Sequence, residues 1–246
     1  MMHTFESFVL TLQYHTELNP AVWKGETLRP EIRKSLLKIA KAWAEFSNID
    51  DSIIKDIVLC GGNANYNYTP FSDLDVHLII DKKKMGGTKD LVNDYLFDKK
   101  ALWALKHKDI RVAGFPVELY AQGKDEKVAS AGIYSLKNDK WIDKPERHDV
   151  NFDKDVQLRR KVKDYMKQIN KIIKLPGDNT AELDSFKEKL HQMRSAGVSK
   201  GGEFSFENLI YKELRNRGYL DKIANYLMKT KDQSFSYYPK IESPNA

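Results

Sequence analysis

Two aspartates spaced two apart head an apolar run in this chain, Ser72-Asp73-Leu74-Asp75-Val76-His77-Leu78-Ile79-Ile80. In an extended strand alternate side chains share a face, so Asp73, Asp75 and His77 project together while Leu74, Val76 and Leu78 enter a core. Carboxylates that close repel one another, and a divalent cation between them relieves the repulsion. Upstream, Leu59-Cys60-Gly61-Gly62 ends another apolar run in two glycines. Their backbone N–H groups can approach phosphate oxygens with no side chain in the way. A third carboxylate, Glu118, stands in Phe115-Pro116-Val117-Glu118-Leu119-Tyr120-Ala121-Gln122, on one face with Tyr120 and Gln122 and opposite Val117, Leu119 and Ala121. A phosphate cradle beside metal-binding carboxylates points to phosphoryl or nucleotidyl transfer.

These residues need rigid elements around them. The apolar spacing predicts a helix over 4–17 (Phe5, Phe8, Val9, Leu12) and a second opening at Pro30 with Ile32, Leu36, Leu37, Ile39, Ala40, Trp43 and Phe46. A buried strand over 53–60 runs into the glycine pair, an Asn- and Tyr-rich loop covers 63–72, and the carboxylate strand covers 73–81. After Lys82-Lys83-Lys84-Met85-Gly86-Gly87, Thr88 is placed to cap a helix over 89–107. Strands follow at 110–113 and 116–122, and a hairpin at 132–143. Beyond Pro145 the pattern turns helical, with helices over 154–174, 180–195 and 205–229. Pro176-Gly177-Asp178 and Gly197 to Gly202 separate them, Gly218 breaks the last, and the tail from Ser234 reads as irregular. The expected architecture is α/β (α+β): a domain over 1–150 with N-terminal helices, then a basic helical domain over 151–246.

Composition narrows the partners. The chain has 246 residues, enough for a full core, with ordinary apolar content and abundant aromatics, so a disordered chain is excluded. No stretch approaches the roughly 20 apolar residues of a membrane span, and the N-terminus does not read as a signal peptide. The single cysteine, Cys60, suits a reducing compartment and reads as a small buried hydrophobe, so the expected location is cytoplasmic. The net charge of +6 lies wholly in residues 151–246, which hold 19 basic and 13 acidic residues, against 22 of each in 1–150. A basic half beside a carboxylate-bearing half suits a polyanionic substrate or a nucleic-acid partner, RNA or another.

Taken in order, Gly61-Gly62, Ser72-Asp73-Leu74-Asp75 and Val117-Glu118-Leu119 resemble the signature of the DNA polymerase beta-type nucleotidyltransferase superfamily. The resemblance implies a mixed sheet flanked by helices and two Mg2+ ions, with Mn2+ as a substitute. It also implies transfer of a nucleoside monophosphate from a nucleoside triphosphate, ATP among them, to a hydroxyl on RNA, protein or a small molecule. It places Asp73 and Asp75 on both metals, Glu118 on the catalytic metal and the acceptor proton, and Gly61 and Gly62, with Ser72, at the triphosphate. Many members carry serine where this chain has Gly62. Asn65-Tyr66-Asn67-Tyr68, Gly132-Ile133-Tyr134-Ser135-Leu136 and Gly202-Glu203-Phe204-Ser205 are similar to nucleotidyltransferase-like proteins of tailed bacteriophages, which would put the chain in a host cytoplasm. A catalytically silent nucleotide- or nucleic-acid-binding module and a signalling-nucleotide synthase are the alternatives the same residues allow.

Other residues stand near this chemistry. His77 shares the carboxylate face as a phosphate contact or a structural histidine. Tyr120 and Gln122 stand beside Glu118, and Asn63, Asn65, Tyr66 and Tyr68 beside the glycines. Arg194, Lys200, Lys212, Arg215 and Arg217 are basic candidates for the triphosphate. The cationic face over 154–174 is a candidate track for a nucleic-acid backbone. His107, His148 and His191 are isolated, and no spacing resembles a zinc site.

Overall fold

The computed structural model describes residues 10–236. A short antiparallel ribbon, β1 (Trp23–Lys24) and β2 (Thr27–Leu28), precedes helix α1 (Pro30–Phe46). Pro30 suits the first turn because its fixed φ is helical and its missing N–H has no helical partner there. Ile32, Leu36, Ala40, Trp43 and Ala44 are the buried residues of α1, a single stripe laid on the core. Strand β3 (Ile54–Cys60) and strand β4 (Leu74–Ile80) come next, followed by helix α2 (Lys89–Lys106). Thr88 caps α2, its hydroxyl accepting from the Leu91 N–H at 3.3 Å. Then come β5 (Arg111–Val112), β6 (Phe115–Gly123), β7 (Ile133–Ser135) and β8 (Lys140–Asp143).

Six of these strands form one mixed sheet in the order β5-β6-β4-β3-β7-β8, in which only β4 and β6 run parallel. Alternation along β4 is strict. Leu74, Val76, Leu78 and Ile80 are fully buried, while Asp75, His77 and Ile79 face the other way and are half-buried. β3, held between β4 and β7, is buried without a break from Ile57 to Cys60, as a central strand covered on both faces should be. An aromatic cluster joins ribbon to hairpin: Trp23 stacks on Trp141 with centroids 4.7 Å apart, and Tyr134 meets both edge-on. Burial, and then its hydrogen bond to Asp139, push the Tyr134 hydroxyl up to about 12.

The chain divides into two units. Leu12–Asn151 carries the sheet, and the other unit takes the chain from Phe152 onward together with Thr11. The second is helical: α3 (Val156–Lys174), α4 (Thr180–Gly201), α5 (Phe206–Asn216) and α6 (Tyr219–Phe235). Leu158, Val162, Tyr165, Ile169 and Ile172 form the buried stripe of α3, and Asp155 caps it by accepting from the Leu158 N–H at 2.8 Å. Gly218, at φ +72°, supplies the left-handed residue that separates α5 from α6. No helix among the described residues is long and apolar enough to cross a membrane.

Three expectations need correction. No helix forms over residues 10–17, and residues 4–9 lie outside the described residues. The Thr11 N–H donates to both carboxylate oxygens of fully buried Glu213 at 3.0 Å, and its hydroxyl donates to the same group at 2.7 Å. A tertiary acceptor thus takes the donors that a helix would use. The fourth helix does not stop at 195 either: it passes through Gly197 and ends at Gly201. A Cβ at Gly197 would sit 2.7 Å from the Cβ of Glu207, so this glycine lets α4 and α5 approach closely. The tail expected to be irregular from Ser234 is still helical to Phe235, and its part beyond Ser236 lies outside the described residues.

Candidate active site

Parallel pairing of β4 with β6 sets Asp75 opposite Glu118 and His77 opposite Tyr120. Side chains at matched positions of neighbouring strands point to the same face, so register alone brings Glu118 to the aspartates. Ligand oxygens of Asp73, Asp75 and Glu118 lie within 4.8 Å of one another. At that separation, in an effective dielectric of about 20, two carboxylates repel by about 3 kcal/mol, less where water reaches them as it does at Glu118. Three anionic oxygen donors are the set that hard divalent cations such as magnesium or manganese prefer, so the residues fit such an ion.

The glycine turn is built around one of these carboxylates. Gly61 has φ +76°, and an ideal Cβ on it would lie 1.8 Å from Asp75 Oδ2. The carboxylate therefore occupies the space that any other residue's side chain would need. At Gly62 a Cβ would stand 2.9 Å from Ser72 Oγ, so a side chain at 62 would press on the Ser72 hydroxyl. Ser72 Oγ also accepts from the Thr69 N–H at 2.9 Å and braces the loop. The Gly61 N–H donates to Ser130 Oγ at 3.0 Å, a bond that a phosphate contact from Gly61 would have to displace.

Asn63 is more than a neighbour of the cradle. Fully buried, it donates to the Asp73 carbonyl at 2.8 Å, accepts from Asn19 at 2.7 Å and takes the Trp23 indole N–H on its own carbonyl at 2.7 Å. It fixes the backbone that presents Asp73. Tyr66 is buried and Tyr68 stacks on His15 at 3.8 Å, so both rings serve loop packing.

His77 is hydrogen-bonded, its Nδ1 lying 2.8 Å from Gln122 Oε1. Burial holds it below its ordinary value, helped by the positive charge of Lys100 and opposed by Gln122 and Glu118. Gln122 is buried, whereas Tyr120 is exposed with its ring 5.2 Å from that of His77. Cys60, paired with Asp75 across β3 and β4, has its thiol pushed far above the ordinary value, first by burial and then by Asp75, Asp73 and Glu118. It is a buried group that packs within the sheet.

Lys100 of α2, absent from every motif above, makes an ion pair with Glu118 and lies 5.5 Å from the centre of the Tyr120 ring. A signal for it exists in the sequence. Position 100 continues the four-residue spacing of Val92 and Leu96 at the edge of the packed side of α2. The basic candidates of the helical unit have local partners: Lys212 meets Glu203 at 2.8 Å, Arg217 meets Glu213 at 2.6 Å, and Arg194 lies over the Tyr211 ring. Arg215 and Lys200 are exposed. Of the basic loop at 82–84, Lys82 bonds Asn93 and Glu126.

A mixed sheet that presents three clustered carboxylates beside a tight glycine turn defines this site. Among solved structures the chain is similar to a STING-associated CdnE c-di-GMP synthase from Capnocytophaga granulosa, at 12% identity over 85% of this chain and 84% of that one, with a TM-score of 0.21. No protein family matches the chain, and no curated protein matches it.

Proposed function

We propose that this chain is a magnesium-dependent nucleotidyltransferase that moves a nucleoside monophosphate from a nucleoside triphosphate to an acceptor hydroxyl, releasing pyrophosphate. The observation that carries this reading is the convergence of Asp73, Asp75 and Glu118 within 4.8 Å on the face next to the Gly61 turn. Asp73 and Asp75 would hold the metal, with Glu118 completing the set. Bound there, magnesium supplies Lewis-acid stabilisation of phosphate charge and acidifies the attacking hydroxyl. Glu118, the most exposed of the three, is the carboxylate placed to accept the acceptor's proton. At the glycine turn a phosphate oxygen would take the Gly61 N–H in place of Ser130 Oγ. Tyr120 offers an exposed ring face beside the carboxylates for a base or acceptor to lie against.

The test incubates the protein with each labelled nucleoside triphosphate and magnesium, alone and with total RNA or cell lysate. Transfer to an acceptor that disappears in Asp75→Asn and in Glu118→Gln supports the proposal. Products formed from triphosphates alone would assign the acceptor to a second nucleotide. Tight nucleotide binding with no transfer under any condition would overturn catalysis and leave a binding module.

A further inference from the structure

Lys100 stands at the edge of the packed side of α2, about a third exposed. It lies on the side of α2 that carries buried Val92 and Leu96 and the core-packed Trp103, and its ammonium reaches beyond that stripe to Glu118. A lysine at such a position lays its four-carbon stem on apolar surface and delivers the charge at the far end. α2 is anchored independently, since Trp103 packs on Phe46 at 5.4 Å and Lys99 turns to Phe46 and Tyr95. The placement of Lys100 is therefore a property of the helix, and its flexible stem lets the ammonium move while the helix stays.

Its target is the carboxylate that the metal set requires. A carboxylate oxygen held by an ammonium is a poor ligand and a poor base until that ammonium leaves. The pair is half-exposed, 32% for the lysine side chain and 46% for the glutamate, so separating it exposes no buried charge. Tyr120 gives the departing ammonium a nearby ring face.

We propose that Lys100 is a displaceable counter-ion for the carboxylate trio. It neutralises Glu118 when no divalent cation is present, yields Glu118 when one binds, and then meets the negative charge of the triphosphate that accompanies the metal. It sets the affinity of the site for its cation through Glu118, and the affinity for the triphosphate by its own charge. This rests on the reading of Asp73, Asp75 and Glu118 as a metal site, and the experiment separates the two.

Mn2+ is titrated into the full-length protein without nucleotide, by calorimetry or by the loss of the free-ion electron paramagnetic resonance signal, in wild type, Lys100→Met, Lys100→Arg and Asp75→Asn. Lys100→Met removes the competing charge and should tighten Mn2+ binding by about fivefold or more, while Lys100→Arg stays near wild type. In transfer assays Lys100→Met should raise KM for the triphosphate by more than it lowers kcat. Melting curves show whether each variant is folded, and Lys100→Gln replaces Lys100→Met if the latter is not. Mn2+ binding in wild type that is unchanged or weaker in Lys100→Met would overturn the role of Lys100 and leave the metal site standing. No Mn2+ binding in wild type, or binding retained in Asp75→Asn, would overturn the metal site itself.

Discussion

Alanine at position 61 would place its Cβ 1.8 Å from Asp75 Oδ2, in a backbone conformation, φ +76°, that L-residues rarely adopt. The two faults act together. Left-handed backbone strain costs about 1–3 kcal/mol, and the carboxylate must move by more than an ångström to avoid the new methyl group. Misplacing a group at a reacting centre by that distance costs about 100-fold. Gly61→Ala should therefore lose about 100-fold or more in transfer activity while remaining folded with a lowered melting temperature. Near-wild-type turnover in this variant would show that Asp75 does not need its present place. Asp73, Asp75 and Glu118 are legible in the sequence because period-two alternation puts a face on every residue of a strand. The roles of Asn63 and Lys100 are not, since each depends on a partner reached only through the tertiary fold, Asp73 for one and Glu118 for the other.

At the scale of elements, the parallel pair β4 and β6 is the joint on which the site depends, and its far end is tied by charge. Asp81, just past β4, accepts from Lys124, just past β6, at 2.9 Å, and the Lys124 N–H donates to the Ile80 carbonyl at 2.8 Å. The hydrogen bond from Lys124 holds the Asp81 carboxyl below its ordinary value, with the charges of Lys124, Lys84 and Lys55 adding to it. A depressed carboxylate contributes stability that is present above its unfolded-state value and is lost as pH falls through the folded-state value. Asp81→Asn should thus lower the melting temperature at pH 7 and converge on wild type only at a pH below the folded-state value, itself below the ordinary aspartate range. A gap that is equal at both pH values would remove the ion pair from the account. The elements themselves are largely legible, because strands and helices here follow their apolar periods and α2 begins at its expected cap. The exceptions are segments governed by a distant partner: the residues around Thr11, whose donors go to Glu213, and Gly197, which seats α4 against α5.

Across the whole molecule the charge is divided as the sequence divides it. The +6 belongs to residues 151–246, and α3 concentrates part of it. Arg160, Lys163, Lys167, Lys171 and Lys174 follow one another at intervals of three or four, a single stripe in which Arg160, Lys167, Lys171 and Lys174 are exposed. The stripe extends ~21 Å along the helix at 1.5 Å per residue, enough to follow several phosphates of one strand. A stripe of this kind would suit a polyanion, and counter-ion release would make such binding steeply dependent on salt. Reversing Arg160, Lys167 and Lys171 to Glu should weaken binding of a fluorescent single-stranded RNA and flatten the slope of log K against log salt, by about 0.7 for each phosphate no longer neutralised. The control is a matched reversal of Lys34, Lys38 and Lys41, the exposed lysines of α1, which changes net charge equally. If attraction came only from net charge, both triple variants would lose affinity alike. The arrangement on α3 requires that the first lose far more than the second, and equal losses would reduce the stripe to a solvated helix face.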